Sequence, residues 1–345
     1  MQILFAVALW LSPAAAGQTV YENFPLDSAS TGAHSNNIWA FVEDSQGYLV
    51  EPTNLNVVQV SRGAYLGGGW YNHDVQGLLG GLGLSLYDQI HGKSLWNFNG
   101  QTWSVMLDYA AKAGRRWPFR VDACHNYNVE AGARATVQTP AGEFAGARAF
   151  AFEQNPDANV RCPTSMPQDL LTAPGVGPIA YSTGGHKGHL LYARINDEVI
   201  AGPGETRVHP NKPNLVYTLA LASEQISSTQ IQCIRAPCNP LPGTLQFVLT
   251  VTNTVGQAES VSFNSGARFD LDVFDADGTL VKKWSDGKMF TMALSTVSVQ
   301  PGETKVFYGT MPFADRSGAA LQGKFRVVGY MLGGAPKLSG NVTAQ

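Results

Sequence analysis

The stretch that decides the fold is Thr244 to Leu294: TLQFVLTVTNT (244–254), VGQAESVSFNSG (255–266) and ARFDLDVFDADGTLVKKWSDGKMFTMAL (267–294). Its first run alternates, with Leu245, Phe247, Leu249 and Val251 on one face and Gln246, Val248, Thr250 and Thr252 on the other. A period of two predicts a strand with one buried face, and Val248 is the apolar exception on the outer one. A second run repeats the pattern, Phe269, Leu271 and Val273 inward and Asp270 and Asp272 outward. Between Phe274 and Leu280, Asp275-Ala276-Asp277-Gly278 reads as a hairpin turn whose glycine takes positive φ without a Cβ penalty.

Working outward, 345 residues are enough for about two domains. Hydrophobic residues at 44% supply two cores, and charged residues at 14% fall well below the usual soluble share. A net charge of −3 offers no basic footprint, so nucleic acid is not an expected partner. The amino-terminal end points to export. Ile3 to Leu11 is apolar and Pro13-Ala14-Ala15-Ala16 supplies small residues, so residues 1–16 read as a signal peptide, although no Lys or Arg precedes the apolar run. That run is too short to span a bilayer, and no transmembrane segment is expected. A secreted or periplasmic location suits four cysteines, which predict two disulfides, Cys124–Cys162 and Cys233–Cys238. Neither pair has the short spacing of a zinc site.

Strand-like runs at Asn37–Val42, Asn56–Val60, Thr102–Leu107, Ala133–Thr139, Ala147–Phe152 and Leu190–Ile195, separated by Gly, Asn and Pro turns, predict an antiparallel all-β domain over residues 18–200. The glycine-rich stretch Gly77–Gly83 reads as an apolar loop or bulged strand. Residues 201–213, with scattered prolines and glycines, read as a linker, 214–333 as a second domain, and 334–345 as a loosely ordered tail.

The second domain resembles the intracellular proteinase inhibitor BsuPI family. The motifs that carry the resemblance are T-N-T at Thr252–Thr254, F-x-S-G at Phe263–Gly266 and the Phe269-Asp270 pair. They continue through the D-x-D-G hairpin, W-S-D-G-x-x-F-T at Trp284–Thr291, the P-G-E turn at Pro301–Glu303 and a closing strand at Gly323–Met331. The resemblance implies an immunoglobulin-like β-sandwich and a non-enzymatic protein that binds a protein partner, with a serine protease as the expected target. It implies structural roles for Asn253, Ser265, Gly266, Phe269, Asp270, Trp284 and Phe290, and a protease-facing turn at Ser285, Asp286, Gly287 and Lys288. In the first domain, Thr136–Phe144 and Ala173–Gly177 resemble hairpin elements of secreted bacterial β domains with no assigned chemistry. The alternative is a structural or adhesion module of the cell envelope that uses the sandwich as a scaffold.

No catalytic constellation, cofactor or metal is expected. Thr164-Ser165-Met166 echoes a subtilisin nucleophile turn, but Cys162-Pro163 stands where that turn needs glycine. His186, His189 and His209 read as solvated loop histidines, and the Asp275–Gly278 turn lacks the acids of a calcium loop.

Overall fold

Short alternating runs punctuated by turn residues make strands along the whole chain. The computed structural model is all-β over the residues it describes: 37–44, 56–67, 70–76, 86–89, 92–122, 124–155, 168–183, 186–227, 242–254, 256–315 and 317–345. The expected signal peptide, the Gly77–Gly83 run, Thr164–Met166 and three of the cysteines, Cys162, Cys233 and Cys238, lie outside them.

The first half is one antiparallel sheet. From β1 (Asn37–Asp44) it runs one way through β2 (Asn56–Gly67), β3 (Trp70–Gln76), β4 (Leu86–Gln89) and β5 (Ser94–Phe98) to β6 (Trp103–Asp108). The other way it runs through β12 (His186–Ile195), β11 (Gly177–Thr183), β10 (Asp169–Ala173), β9 (Gly142–Gln154) and β8 (Asn126–Thr139) to β7 (Arg116–Arg120). A short β13 (Glu198–Ala201) pairs with β12 beyond the end of β11. The two end strands meet: Trp117 Nε1 donates to Val105 O at 2.9 Å and Ser104 Oγ to Arg120 O at 3.0 Å. Inside lie Trp39, Phe41, Leu95, Phe119, Phe150 and Leu190, all fully buried. The Trp39 indole N–H donates to Val176 O, so the largest side chain of this core leaves no orphan donor.

The second half has two facing sheets. One is β14 (Gly204–His209), β15 (Lys212–Leu221), β17 (Thr244–Asn253) and β22 (Thr304–Pro312), in that order. The other is β16 (Gln225–Ile226), β24 (Leu338–Ala344), β23 (Gly323–Met331), β19 (Phe269–Phe274) and β20 (Leu280–Lys283). A separate pair, β18 (Glu259–Phe263) with β21 (Ser295–Val299), covers one side. Leu219, Phe247, Leu249, Leu271 and Val327 fill the space between the sheets.

Several expectations need correction. The outer face of β17 is not solvated: Val248, Thr250 and Thr252 are all buried. Val248 and Ala220 pack against Ile38, Ala40 and Val42 of β1 and Leu191 and Tyr192 of β12, a third apolar cluster that joins the two halves. Arg194, itself buried, donates to Gly302 O at 2.5 Å across the same boundary. Val248, the apolar residue among the outer threonines, lies at the centre of this contact.

Residues 201–213 are not a linker but largely β14 and the start of β15, paired along their length. Their prolines fall where a hairpin tolerates them, just before the first strand (Pro203), at the turn (Pro210) and near the start of the second strand (Pro213). His209, the last residue of β14, is buried beside that turn, its Nδ1 accepting from Asn211 N at 3.1 Å, so it is a strand-end residue rather than a solvated loop one. His186 and His189 lie on β12, within a strand rather than in a loop.

Residues 334–345 are not a loose tail either. They contain β24, whose Leu338 and Val342 enter the core and whose Ser339 donates through N and Oγ to Glu205 Oε2 of β14. The polar residues that made this segment look loose face outward from a strand.

Candidate functional site

β19 and the segment after β20 build the site. Asp270 and Asp272 do not face solvent as their alternation suggested; both are buried. Asp270 Oδ1 accepts Ser285 N at 3.0 Å and Oδ2 accepts Ser285 Oγ at 2.6 Å, so one carboxylate satisfies two donors of the turn. Asp272 faces Lys283 Nζ at 3.2 Å, and that hydrogen bond raises the lysine's pKa. The turn is also braced from within. Asp286 Oδ2 accepts Lys283 N at 3.0 Å, Lys288 N donates to Ser285 O at 3.0 Å, and Gly287 takes φ of 76°. A side chain at Gly287 would be strained in that left-handed conformation.

Trp284 is half-buried at the margin of the core. Its ring lies 4.4 Å from the Phe269 ring, centroid to centroid, and 6.0 Å from Phe290. Lys288 Nζ stands 4.1 Å over its face, within cation–π range. Behind it is Gly309 of β22, where a Cβ would come within 2.8 Å of Trp284 Nε1 and 2.4 Å of Phe247. The indole N–H is buried and finds no acceptor, so packing rather than hydrogen bonding seats this ring.

Beyond the turn, residues 288–294 belong to no strand. Gly266 N donates to Thr291 O at 2.7 Å and fixes the middle of this segment. A Cβ on Gly266 would stand 2.5 Å from Thr291 Oγ1, so the close approach requires glycine. Ser265 supports the same corner, its Oγ accepting from Ala267 N at 3.2 Å. On this anchored segment Met289 is 98% exposed, Met292 89% and Leu294 79%. Single exposed apolar residues are ordinary, but three on one short segment make it a candidate contact surface.

The motifs singled out in the sequence thus divide by place. Ser265, Gly266, Phe269, Asp270, Trp284 and Phe290 gather around the 284–294 segment. Asn253 is elsewhere: fully buried, it donates from Nδ2 to Gln257 O at 2.8 Å and Val299 O at 2.9 Å, while its O accepts from Gly302 N at 2.7 Å. It ties the T-N-T strand end to the P-G-E turn. The Asp275 hairpin is an Asx turn, with Oδ1 accepting from Asp277 N and Thr279 N and Gly278 at φ of 80°.

The sequence motifs point to Phe290 as a structural residue and give no mark to Met289, Met292 or Leu294. The signal was present in K-M-F-T-M-A-L, an apolar run that fits no strand alternation with its neighbours and holds no Gly or Pro turn. Among the described residues no group of three or more metal-ligating side chains converges.

Residues 235–335 match the family model BsuPI, described as intracellular proteinase inhibitor. No curated protein matches the chain. Among solved structures, a β-glucosidase from Listeria innocua in complex with glucose aligns over 37% of this chain and 16% of its own, with 14% identity and a TM-score of 0.22, a likeness too slight to inform fold or function.

Proposed function

We propose that the half of the chain holding the proteinase-inhibitor match blocks a serine protease, with residues 285–294 as the segment that enters the protease cleft. One observation carries this reading: the F-x-S-G, Phe269-Asp270 and W-S-D-G-x-x-F-T motifs gather around a segment that is apolar, exposed and anchored at both Ser285 and Thr291. An inhibitory segment must keep its bound shape before it binds, because little ordering entropy is then lost on association. A segment outside the strands can lie along a protease cleft as an added strand, with main-chain bonds giving affinity and alternate side chains giving selectivity. The Ser285–Lys288 turn sets the entry angle, and Trp284 beneath it keeps Lys288 and Phe290 in place.

The protein acts by occupying the cleft and performs no chemistry of its own. We place it outside the cytoplasm. The apolar run Ile3–Leu11 with Ala14–Ala16 supports this, as does Cys124, which is disulfide-bonded. The pairings Cys124–Cys162 and Cys233–Cys238 complete the proposal, and mass spectrometry of the exported protein without reductant tests them. Four free thiols would refute both.

The functional test is titration of purified protein against a panel of serine proteases. Dose-dependent loss of protease activity, with the added protein remaining intact, is the expected result. A folded protein that inhibits none of them, yet retains affinity for envelope material, would favour the scaffold role instead.

A further inference from the structure

We propose that Met289 is the residue that fills the primary specificity pocket of the target, and that the target is a serine protease whose pocket is deep, apolar and uncharged. This rests on the reading of residues 285–294 as the inhibitory segment, and it names which side chain selects the enzyme.

The geometry singles out Met289 from its neighbours. Lys288 turns back so that its ammonium lies 4.1 Å over the Trp284 ring, and Phe290 turns back to place its ring 6.0 Å from the same indole. With the side chains of 288 and 290 both against Trp284, that of residue 289 between them is left in solvent. It is 98% exposed, the most exposed of the large apolar side chains described. Met292 and Leu294 are also exposed, but they lie beyond Thr291, whose carbonyl is the last anchor before β21. Met289 is thus the apolar residue bracketed by fixed points, Ser285 and Lys288 before it and Phe290 and Thr291 after it.

Pocket chemistry then selects the enzyme class. Serine proteases differ at this pocket by an aspartate at its floor, an open hydrophobic slot, or a constricted one. An aspartate floor selects a cation, and the adjacent cation, Lys288, has its ammonium on Trp284 and its backbone N–H on Ser285. A constricted pocket rejects a long side chain. Methionine, unbranched and polarisable, fits the hydrophobic slot and adapts to its walls.

The test uses the full chain and four enzymes, chymotrypsin, a subtilisin, trypsin and elastase, with Met289→Gly, Met289→Lys, Met292→Gly and Leu294→Gly. Wild type is expected to inhibit chymotrypsin or the subtilisin. Met289→Gly should weaken that inhibition by roughly a hundredfold, as loss of a central anchor does. Met289→Lys should transfer inhibition to trypsin. Each variant should keep the wild-type melting temperature, because the altered side chain touches little of its own protein. If Met289→Gly inhibits like wild type while Met292→Gly or Leu294→Gly does not, the segment remains inhibitory and the assignment of Met289 is overturned. If folded wild-type protein inhibits none of the four, this assignment and the reading beneath it fall together.

Discussion

Asp270 holds Ser285 by both carboxylate oxygens, one on the backbone N–H at 3.0 Å and one on the hydroxyl at 2.6 Å. A buried residue of β19 thereby sets the direction in which the exposed segment leaves β20. Replacing Asp270 by alanine strands two donors of the turn and should cost about 1–3 kcal/mol. Inhibition should fall along with stability. Asp270→Asn keeps one acceptor and should lie between the two. Urea denaturation and inhibition constants of the three proteins check this ordering.

Trp284→Ala removes the seat of both Lys288 and Phe290. The ring is only half-buried, so the loss should be about 2–4 kcal/mol, somewhat below that of a fully enclosed aromatic. Asp286→Ala loses only an exposed bond to Lys283 N and should change stability by about 1 kcal/mol or less. Thermal melts of the two variants would contradict this account if Asp286→Ala proved the more damaging.

Gly266→Ala places a methyl 2.5 Å from Thr291 Oγ1 and 3.2 Å from Thr291 N. The strands on either side of Gly266 need not move, whereas the 288–294 segment must. Inhibition should therefore drop far more than the melting temperature. A variant with wild-type inhibition would show that the segment's position at Thr291 is unimportant.

A fragment beginning near Lys212 was the natural cut on the linker expectation, but it divides the β14–β15 hairpin. Starting at Gly204 restores the hairpin and still uncovers Ala220 and Val248, which face the first half of the protein. Such a fragment should bind a hydrophobic dye and self-associate. Val248→Thr should reduce both in the fragment, yet destabilise the full chain by about 1–2 kcal/mol. Light scattering and dye fluorescence decide it.

Glu205 predicts a pH effect. Its partial burial would raise its pKa, but the Ser339 N–H, Arg207 and the Ser339 hydroxyl outweigh that and hold the carboxyl below its usual range. A lowered pKa in the folded state adds stability that is complete above the unfolded value, near 4.5, and is lost as pH falls through the folded one. Glu205→Gln should therefore be less stable than wild type at neutral pH and lose less on acidification. Melting temperatures of both proteins between neutral pH and pH 3 should converge at the acidic end.

Much of the fold was legible because period-two alternation is local. Asn37–Val42, Leu190–Ile195 and the run from Thr244 all lie within strands. What could not be read locally was the second face of β17, since burial of Thr250 and Thr252 depends on β1 and β12, far away in sequence. The same holds for Asp270, whose place in an alternating run suggests solvent while its partner Ser285 becomes visible only in three dimensions. β14 and β24 are illegible locally because Gly, Pro and polar residues read as breaks, whereas here they occupy turns and the outer face of paired strands. The turn at Ser285 was found from its motif. The exposed methionines were not, because exposure of an apolar residue is a property of the packed molecule.

The bond from Arg194 to Gly302 O makes the Pro301–Glu303 turn the common property of both halves. A graft of residues 235–335 into a foreign chain would carry the 284–294 segment but leave behind β15, β24 and that guanidinium. One side of β17 would lose its neighbouring strand, and β23 would lose the strand that brings Leu338 and Val342 into the core. The transplantable unit is thus wider than the recognisable one, and a recombination that preserves the segment's shape has to bring its flanking strands and the surface they lean on.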